Sequence, residues 1–145
     1  MGYRFIDNTT TDDLREFVDM LNEEAEGGSV IVVEGRRDVQ ALNLIGVNRN
    51  LVILNHFKGI THFVDNHCHI GKKIILLLDM DRTGKHLTSK LVSQLQHKGT
   101  NVNLYYKKAL AKITNGKIRH IEELAIYAPK LSGVTGTRKD LYFYI

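Results

Sequence analysis

Apolar residues follow two patterns along the chain, short runs in near succession and residues spaced three or four positions apart. The short runs predict β-strands, and they cover residues 30–33, 51–54, 74–78 and 102–106. The spaced residues lie between these runs and predict amphipathic helices. Because strands and helices alternate, we expect an α/β fold in which a compact, mostly parallel four-stranded sheet is flanked by helices.

Glycine residues separate several of the predicted elements. The apolar residues from Leu14 to Leu21 predict a first helix that ends at Gly27. Further helices are predicted over residues 38–45, around 60–64, through 87–95, and once or twice between 110 and 129. We therefore divide the chain into an N-terminal helix in residues 1–27, a central α/β domain in residues 28–128 and a C-terminal tail in residues 129–145.

Two aspartates follow the third predicted strand directly. Asp79 and Asp81 come after the apolar run, and Gly84 then allows the chain to turn into a helix. Open α/β sheets bind ligands beyond the carboxyl ends of their strands. Two carboxylates at that place repel each other unless a proton or a cation lies between them, and Mg²⁺ prefers such oxygen ligands. The alternative is that Asp79 is a solvated strand-end residue and that Asp81 caps the next helix.

A glutamate occupies the matching position after the first predicted strand. Since parallel strands share their carboxyl ends, Glu34 is expected at the same edge of the sheet as Asp79. An unpaired glutamate is costly to bury there, and a metal ion shared with the aspartates would explain it. Pairing of Glu34 with Arg36 or Arg37 is the alternative. Gly35 leaves space beside Glu34 for a substrate or for another part of the backbone.

Composition and charge make a polyanion a candidate partner. The 145 residues carry a net charge of +4, although residues 1–26 hold eight acidic and only two basic residues. The basic remainder suggests a polyanion partner, with a merely solvated surface as the alternative. The one cysteine, Cys68, excludes an internal disulfide and indicates a reducing compartment. No apolar run resembles a membrane span or a signal peptide, so we expect a cytoplasmic protein that does not contact membranes.

Both acidic positions resemble motifs of the Toprim family. Residues 32–35 have the sequence Val-Val-Glu-Gly, with Asp38 downstream, and resemble the first motif of that family. Residues 77–84, which contain Asp79, Asp81 and the glycine three positions later, resemble the second motif. The resemblance implies a Toprim-like domain of Rossmann-like topology, most similar to small stand-alone Toprim proteins of archaea.

The resemblance also implies roles for the acidic residues. Glu34 corresponds to a general acid or base and metal ligand, and Asp79 and Asp81 correspond to ligands of Mg²⁺. One or two ions are expected, and Mn²⁺ can substitute. No part of the chain resembles the body of a topoisomerase or the zinc module of a primase, so the resemblance supports metal binding more strongly than any named reaction.

The function expected from the sequence is Mg²⁺-dependent action on the phosphodiesters of RNA or DNA, by nuclease-like cleavage or by strand transfer. Arg36, Arg82 and Lys85 flank the acidic motifs and are the candidates to bind phosphate. A non-catalytic module that binds nucleic acid or a partner protein through the metal is one alternative. A phosphohydrolase of the haloacid-dehalogenase type is another, because Asp79, Asp81 and Thr83 fit its motif with Asp79 as the nucleophile.

Two further groups of residues, one basic and one rich in histidine, could also bind a ligand. The segment 107–119 contains five basic residues and no acidic one, so it either follows a nucleic-acid backbone or forms a solvated helix face. His67, Cys68 and His69, with His62 nearby, offer ligands for zinc, but no second pair has a suitable spacing. We therefore interpret the histidines as a cluster at a helix end and at the surface.

Overall fold

The computed structural model describes residues 8–68 and 71–133 of the chain. The strands in this part are β1 (Val30–Val33), β2 (Leu51–Ile53), β3 (Lys73–Leu76) and β4 (Asn101–Asn103). The α-helices are α1 (Asn8–Glu26), α2 (Arg36–Leu44), α3 (Ile60–His67), α4 (Arg82–His97), α5 (Tyr105–Ile113) and α6 (Ala128–Gly133). Two 3₁₀ helices cover Leu54–His56 and Ile121–Tyr127. This alternation of strands and helices confirms the α/β fold class.

The four strands run parallel in the order β2-β1-β3-β4. Ile31 at the centre of β1 pairs with Leu51 on one side and with Ile75 on the other. From β1 the chain crosses through α2 to one edge of the sheet, and from β3 it crosses through α4 to the other edge. The direction of the crossover therefore reverses between β1 and β3, and a crevice for ligands opens at the carboxyl ends of these two strands.

Successive residues of the central strands enter opposite halves of the core. Ile31 and Val33 face the layer formed by α1, α2, α5 and the second 3₁₀ helix, whereas Val30 and Val32 face the layer formed by α3 and α4. All four side chains are buried. Burial on both faces requires apolar residues at every position of a strand. This requirement explains why the central strands β1 and β3 appear in the sequence as apolar runs.

Three predicted strand ends are wrong. β2 ends at Ile53, one residue earlier than predicted, because Leu54 begins a 3₁₀ helix. β4 ends at Asn103, because Oδ1 of Asn103 accepts a hydrogen bond from the backbone N–H of Tyr105 at 2.7 Å and α5 begins at that turn. The prediction had extended this strand to residue 106. β3 ends at Leu76, although Leu77 and Leu78 remain fully buried. The apolar run therefore continues beyond β3 as a buried segment. It leads into the turn formed by Asp79, Met80 and Asp81 (the acidic turn).

The first helix is joined to the sheet by polar contacts. Oε1 of Glu24 in α1 accepts hydrogen bonds from Nζ of Lys73 at 3.1 Å and from Oγ of Ser29 at 3.1 Å. At the other end of the chain, α6 covers the first part of the predicted tail, and residues 134–145 lie outside the described residues. Within the described part, no helix is both long and apolar enough to cross a membrane.

Candidate metal centre

Asp79 is the more buried of the two aspartates that follow β3. It follows the end of β3 and is 9% exposed. Its Oδ1 accepts a hydrogen bond from the backbone N–H of Ile121 at 2.8 Å, and its backbone carbonyl accepts one from Nζ of Lys107 at 3.2 Å. Segments far apart in the sequence therefore hold Asp79 in place, and it is not the solvated residue of the alternative interpretation.

Asp81 is the N-cap of α4, as that alternative predicted. Its Oδ1 accepts a hydrogen bond from the backbone N–H of Gly84 at 2.7 Å, and its Oδ2 lies 3.1 Å from Nε2 of His120. The hydrogen bond from Gly84, followed by the hydrogen bond and the charge of His120, holds the pKa of Asp81 below its ordinary value. Asp81 thus remains a carboxylate, and capping uses only one of its two oxygens.

His120 completes a group of three potential metal ligands. One oxygen of Asp79, one oxygen of Asp81 and a ring nitrogen of His120 all lie within 4.8 Å of one another. The backbone N–H groups of Arg119 and His120 donate to Oε1 of Glu123 at 2.9 and 3.0 Å, which fixes the turn that carries the histidine. Burial lowers the pKa of His120, but the negative charges of Asp79, Asp81 and Glu123 hold it above its ordinary value.

His120 was not among the residues predicted from the sequence to form the site. Its local signal is the spacing of a capping box, in which Glu123 stands three residues after His120 and closes the start of the second 3₁₀ helix. That signal marks the beginning of a helical segment. It does not indicate that the segment returns to the carboxyl edge of the sheet, which is what brings His120 to Asp81.

The histidines considered for zinc lie elsewhere and pack against aromatic rings. The ring of His62 contacts Phe57 edge-on, and the ring of His67 stacks on Phe63 with the ring centres 4.6 Å apart. His69 lies outside the described residues. These contacts explain the positions of His62 and His67 without a metal ion.

Glu34 lies at the end of β1 and interacts with the carboxyl group of Asp79. Its Oε2 is buried and has no hydrogen-bond partner in the described part of the chain. Burial above all, followed by the negative charges of Asp79, Asp38 and Asp81, raises the pKa of Glu34 to about 7. The site therefore concentrates more negative charge than its own hydrogen bonds neutralise.

The two glycines of the acidic motifs have different structural roles. A Cβ at Gly84 would overlap the backbone carbonyl of Asp79, so the first turn of α4 can pack on the acidic turn only with glycine at this position. At Gly35 the nearest atom to such a Cβ would be Nδ2 of Asn55 at 3.7 Å, which is ordinary contact. The N–H of Gly35 donates to Oδ2 of Asp38 at 3.1 Å, and α2 therefore begins two residues earlier than predicted.

The three predicted phosphate-binding residues lie in the first turns of two helices. Arg36 is the first residue of α2 and Arg82 the first of α4, with Lys85 one turn further, and all three are exposed. Within the described residues, neither Arg36 nor Arg37 forms an ion pair with Glu34, so the pairing alternative is wrong. Helix N-termini bind anions through their free N–H groups and their dipoles.

Lys107 lies closer to the acidic turn than any property of the sequence indicated. Its Nζ donates to the carbonyl of Asp79 and, at 2.9 Å, to Oγ1 of Thr88, whose hydroxyl in turn donates to the carbonyl of Gly84 at 2.7 Å. Burial lowers the pKa of Lys107, while the nearby carboxylates of Glu34 and Asp79 act in the opposite direction. The sequence had placed Lys107 only in a general basic segment.

A parallel sheet whose two central strands end in a glutamate and in an Asp-x-Asp turn is the arrangement of a Toprim domain. The family model described as Toprim domain matches residues 29–124, and the chain belongs to this family. Toprim domains typically bind a divalent metal ion and act on nucleic acids.

The relatives of the chain are small archaeal proteins named UPF0292 proteins, which confirms the resemblance to stand-alone Toprim proteins of archaea. One from Methanosarcina barkeri is 31% identical over 123 residues, which cover 85% of each chain. One from Methanocaldococcus jannaschii is 34% identical over 119 residues, which cover 81% of this chain and 91% of that protein. A solved structure described as a putative protein from Aquifex aeolicus matches with a TM-score of 0.65 and 30% identity, over 76% of this chain and 96% of that one.

Proposed function

We propose that the chain acts on phosphodiester bonds of nucleic acid with a divalent metal ion held by Asp79 and Asp81. The observation that carries this proposal is the buried Oε2 of Glu34, which has no hydrogen-bond partner among the described residues and lies near the carboxyl groups of Asp79, Asp38 and Asp81. A buried carboxylate oxygen among like charges requires a cation or a proton. We infer one or two Mg²⁺ ions, for which Mn²⁺ can substitute, with Glu34 as a further ligand.

The type of ligand atom at the site influences whether Mg²⁺ or Mn²⁺ binds more tightly. Carboxylate oxygens suit Mg²⁺ and Mn²⁺, whereas the imidazole nitrogen of His120 suits Mn²⁺ better than Mg²⁺. If His120 enters the coordination sphere, the site favours Mn²⁺. If it remains a hydrogen-bonding partner of Asp81, it orients a ligand carboxylate and the site accepts Mg²⁺ equally well.

The residues around the ion supply the remaining parts of a phosphodiester reaction. When bound, the ion neutralises charge that develops on the phosphate. Glu34, at the end of β1 beside Asp79, transfers a proton to or from the reacting oxygen, which is a common role of a positioned carboxyl group. Arg36 and Arg82, at the starts of α2 and α4, hold neighbouring phosphates together with Lys85. Both cleavage and strand transfer are compatible with this arrangement.

Two other functions are less well supported. A haloacid-dehalogenase-type reaction would use Asp79 as the nucleophile, but Oδ1 of Asp79 already accepts the N–H of Ile121 and the residue is nearly buried. A non-catalytic module that binds nucleic acid would use the same metal and the same basic residues. Only the proton-transfer role of Glu34 separates it from the catalytic proposal.

A cleavage assay with matched variants tests the proposal. Labelled single- and double-stranded RNA and DNA are incubated with Mg²⁺, with Mn²⁺ or with a chelator. We expect metal-dependent cleavage by the unmodified chain and a loss of about a hundredfold or more in Glu34→Gln, since a positioned acid or base typically contributes that much. Asp65→Asn is the control, because Asp65 is an exposed aspartate on α3.

Each outcome of this assay has a defined meaning. Cleavage that persists in Glu34→Gln excludes Glu34 as the acid or base. Metal-dependent binding without cleavage identifies the non-catalytic module. If neither binding nor cleavage occurs at low salt with metal present, nucleic acid is not the substrate.

A further inference from the structure

A cleft of about 470 Å³ lies between α4 and α5 and borders the acidic turn. Its volume falls within the range of about 300–1,000 Å³ that is usual for small-ligand pockets. Apolar side chains form much of its surface, two hydroxyl groups contribute to one wall, and three lysines surround it. The lining residues are Met80, Val92, Leu104 and Ala111, then Thr88 and Ser89, then Lys85, Lys107 and Lys108.

The cleft and the candidate metal centre share the same turn of the chain. Met80, which lines the cleft, stands between Asp79 and Asp81 in the sequence. Lys107 also lines the cleft, and its Nζ donates to the carbonyl of Asp79 at 3.2 Å. A ligand in the cleft is therefore adjacent to the residues that would hold the metal ion.

The charge of the cleft selects for an anion with an apolar portion. Three lysines line it, and no acidic side chain is among its lining residues, all of which lie in the described part of the chain. A second cleft, of about 360 Å³ between α1 and α5, instead combines lysines with Asp13 and Glu16 and includes none of the acidic turn. Of these two clefts in the described part of the chain, the one beside the metal centre combines apolar surface with charge of a single sign.

We propose that this cleft holds an unpaired nucleobase of the nucleic acid, with the adjoining phosphate at Lys85, Lys107 and Lys108. A nucleotide has the required chemistry, because its base presents apolar faces and its phosphate is anionic. The next phosphodiester along the strand then lies at Asp79 and Asp81. This inference rests on the proposed function and adds the substrate class, namely single-stranded RNA or DNA.

The preference for single strands follows from the position of the cleft. A base within a duplex is stacked and paired, and it must be unstacked before it can enter a protein pocket. An unpaired base enters without that penalty. Binding of a single strand should therefore depend on the presence of bases as well as on the charge of the backbone.

The test compares a short single-stranded DNA with an abasic strand of the same length and charge, using fluorescence anisotropy with Mg²⁺ present. We expect the strand with bases to bind about tenfold more tightly, because a base in the cleft buries apolar surface that the abasic strand lacks. Ser89→Leu places an apolar side chain in the cleft and should reduce this ratio to about one. Ser93→Leu makes the same change one turn further along α4, at an exposed serine that does not line the cleft, and should preserve the ratio.

The outcomes separate this inference from the proposed function. Equal binding of both strands by the unmodified chain, with binding still enhanced by Mg²⁺, overturns the inference and leaves the proposed function intact. A base preference that persists in Ser89→Leu also overturns it, because the base must then be bound elsewhere. Absence of binding to either strand also overturns the inference, whereas the proposed function is decided by the cleavage assay with RNA and double-stranded substrates.

Discussion

Oδ2 of Asp81 lies 3.1 Å from Nε2 of His120, although the two residues are 39 positions apart in the sequence. The contact forms because the segment before the second 3₁₀ helix returns to the acidic turn. There the backbone carbonyl of Arg119 accepts the N–H of Met80 at 2.7 Å, and the N–H of Ile121 donates to Asp79. The imidazole is thus held beside the carboxylates by backbone hydrogen bonds on both sides.

This contact predicts how His120 affects metal binding. We expect Asp79→Asn to weaken both Mg²⁺ and Mn²⁺ by at least about tenfold, because it removes a charged ligand. His120→Gln should weaken Mn²⁺ more than Mg²⁺ if the imidazole coordinates the ion. Isothermal titration calorimetry measures both affinities, with Asp65→Asn as the control. Unchanged affinity in Asp79→Asn would contradict the assignment of the site, and equal small losses in His120→Gln would make His120 a positioning residue.

Substitution of Gly84 should destabilise the whole domain. A Cβ at this position overlaps the carbonyl of Asp79, so Gly84→Ala must move either the first turn of α4 or the acidic turn. We expect a loss of about 2–4 kcal/mol in the free energy of unfolding, measured by urea denaturation. Gly35→Ala is the matched control, because its φ of −143° is extended backbone and its Cβ has room. Equal stabilities of the two variants would rule out this packing argument.

Stability without metal should fall as the pH rises through the titration of Glu34. The pKa of Glu34 is about 7 in the folded chain and about 4.5 in its ordinary state, so between these values the folded form binds more protons than the unfolded form. The free energy of unfolding therefore decreases with rising pH in this window, by an amount on the order of 1–2 kcal/mol after solvent screening.

Glu34→Gln isolates this effect from other groups. The pKa values of Asp38 and His120 are also raised, and both residues shift stability in the same direction. Urea denaturation at pH 5 and pH 8 in the presence of a chelator should show a smaller difference for Glu34→Gln than for the unmodified chain. Saturating Mg²⁺ should reduce the difference in the unmodified chain as well. Identical pH dependence of the two proteins would disprove the role of Glu34.

Nucleic-acid binding should strengthen with Mg²⁺ at fixed ionic strength and weaken as monovalent salt rises. Each phosphate contact contributes about 0.7–0.9 to the slope of log affinity against log salt. Lys108 and Lys112 are two exposed positions on α5. We expect the double variant Lys108→Ala with Lys112→Ala to reduce the steepness of that slope by the amount that corresponds to one or two phosphate contacts. Lys107 is left unchanged because its Nζ is hydrogen-bonded within the site.

A control variant that loses the same charge elsewhere distinguishes direct contact with phosphate from the long-range effect of net charge. Lys72→Ala with Lys98→Ala removes two exposed lysines near the start of β3 and the end of α4, away from the carboxyl edge of the sheet. This variant should keep the original slope. If both double variants flatten the slope equally, the basic segment makes no specific backbone contact and its charge acts only at long range.

The positions of the two central strands could be predicted from the sequence because burial on both faces leaves an uninterrupted apolar run. The placement of Glu34 and Asp79 at one edge followed from the parallel sheet, which requires only that strands alternate with helices. The error at β4 arose because Tyr105 and Tyr106 extend an apolar run in sequence, whereas the side chain of Asn103 starts a helix at that point.

The remaining parts of the site could not be predicted, because they depend on contacts between distant segments. His120 and Lys107 reach the acidic turn from segments that follow β4, and no periodicity in the sequence indicates where those segments return. The steric role of Gly84 was also beyond prediction. A glycine three residues after an Asp-x-Asp suggests a turn, whereas the structure shows a helix packed directly against a carbonyl group.

The strand order determines whether the site remains intact when part of the sheet unfolds locally. β2 and β4 are the edge strands, and β1 and β3, which carry Glu34 and the aspartates at their ends, are each paired on both sides. In small domains, edges exchange their amide hydrogens through local openings, whereas central strands exchange only through cooperative unfolding. The carboxylates of the site are therefore attached to the slowest-exchanging part of the sheet. Fraying of either edge leaves the acid-bearing strands paired with each other, and only cooperative unfolding separates Glu34 from Asp79.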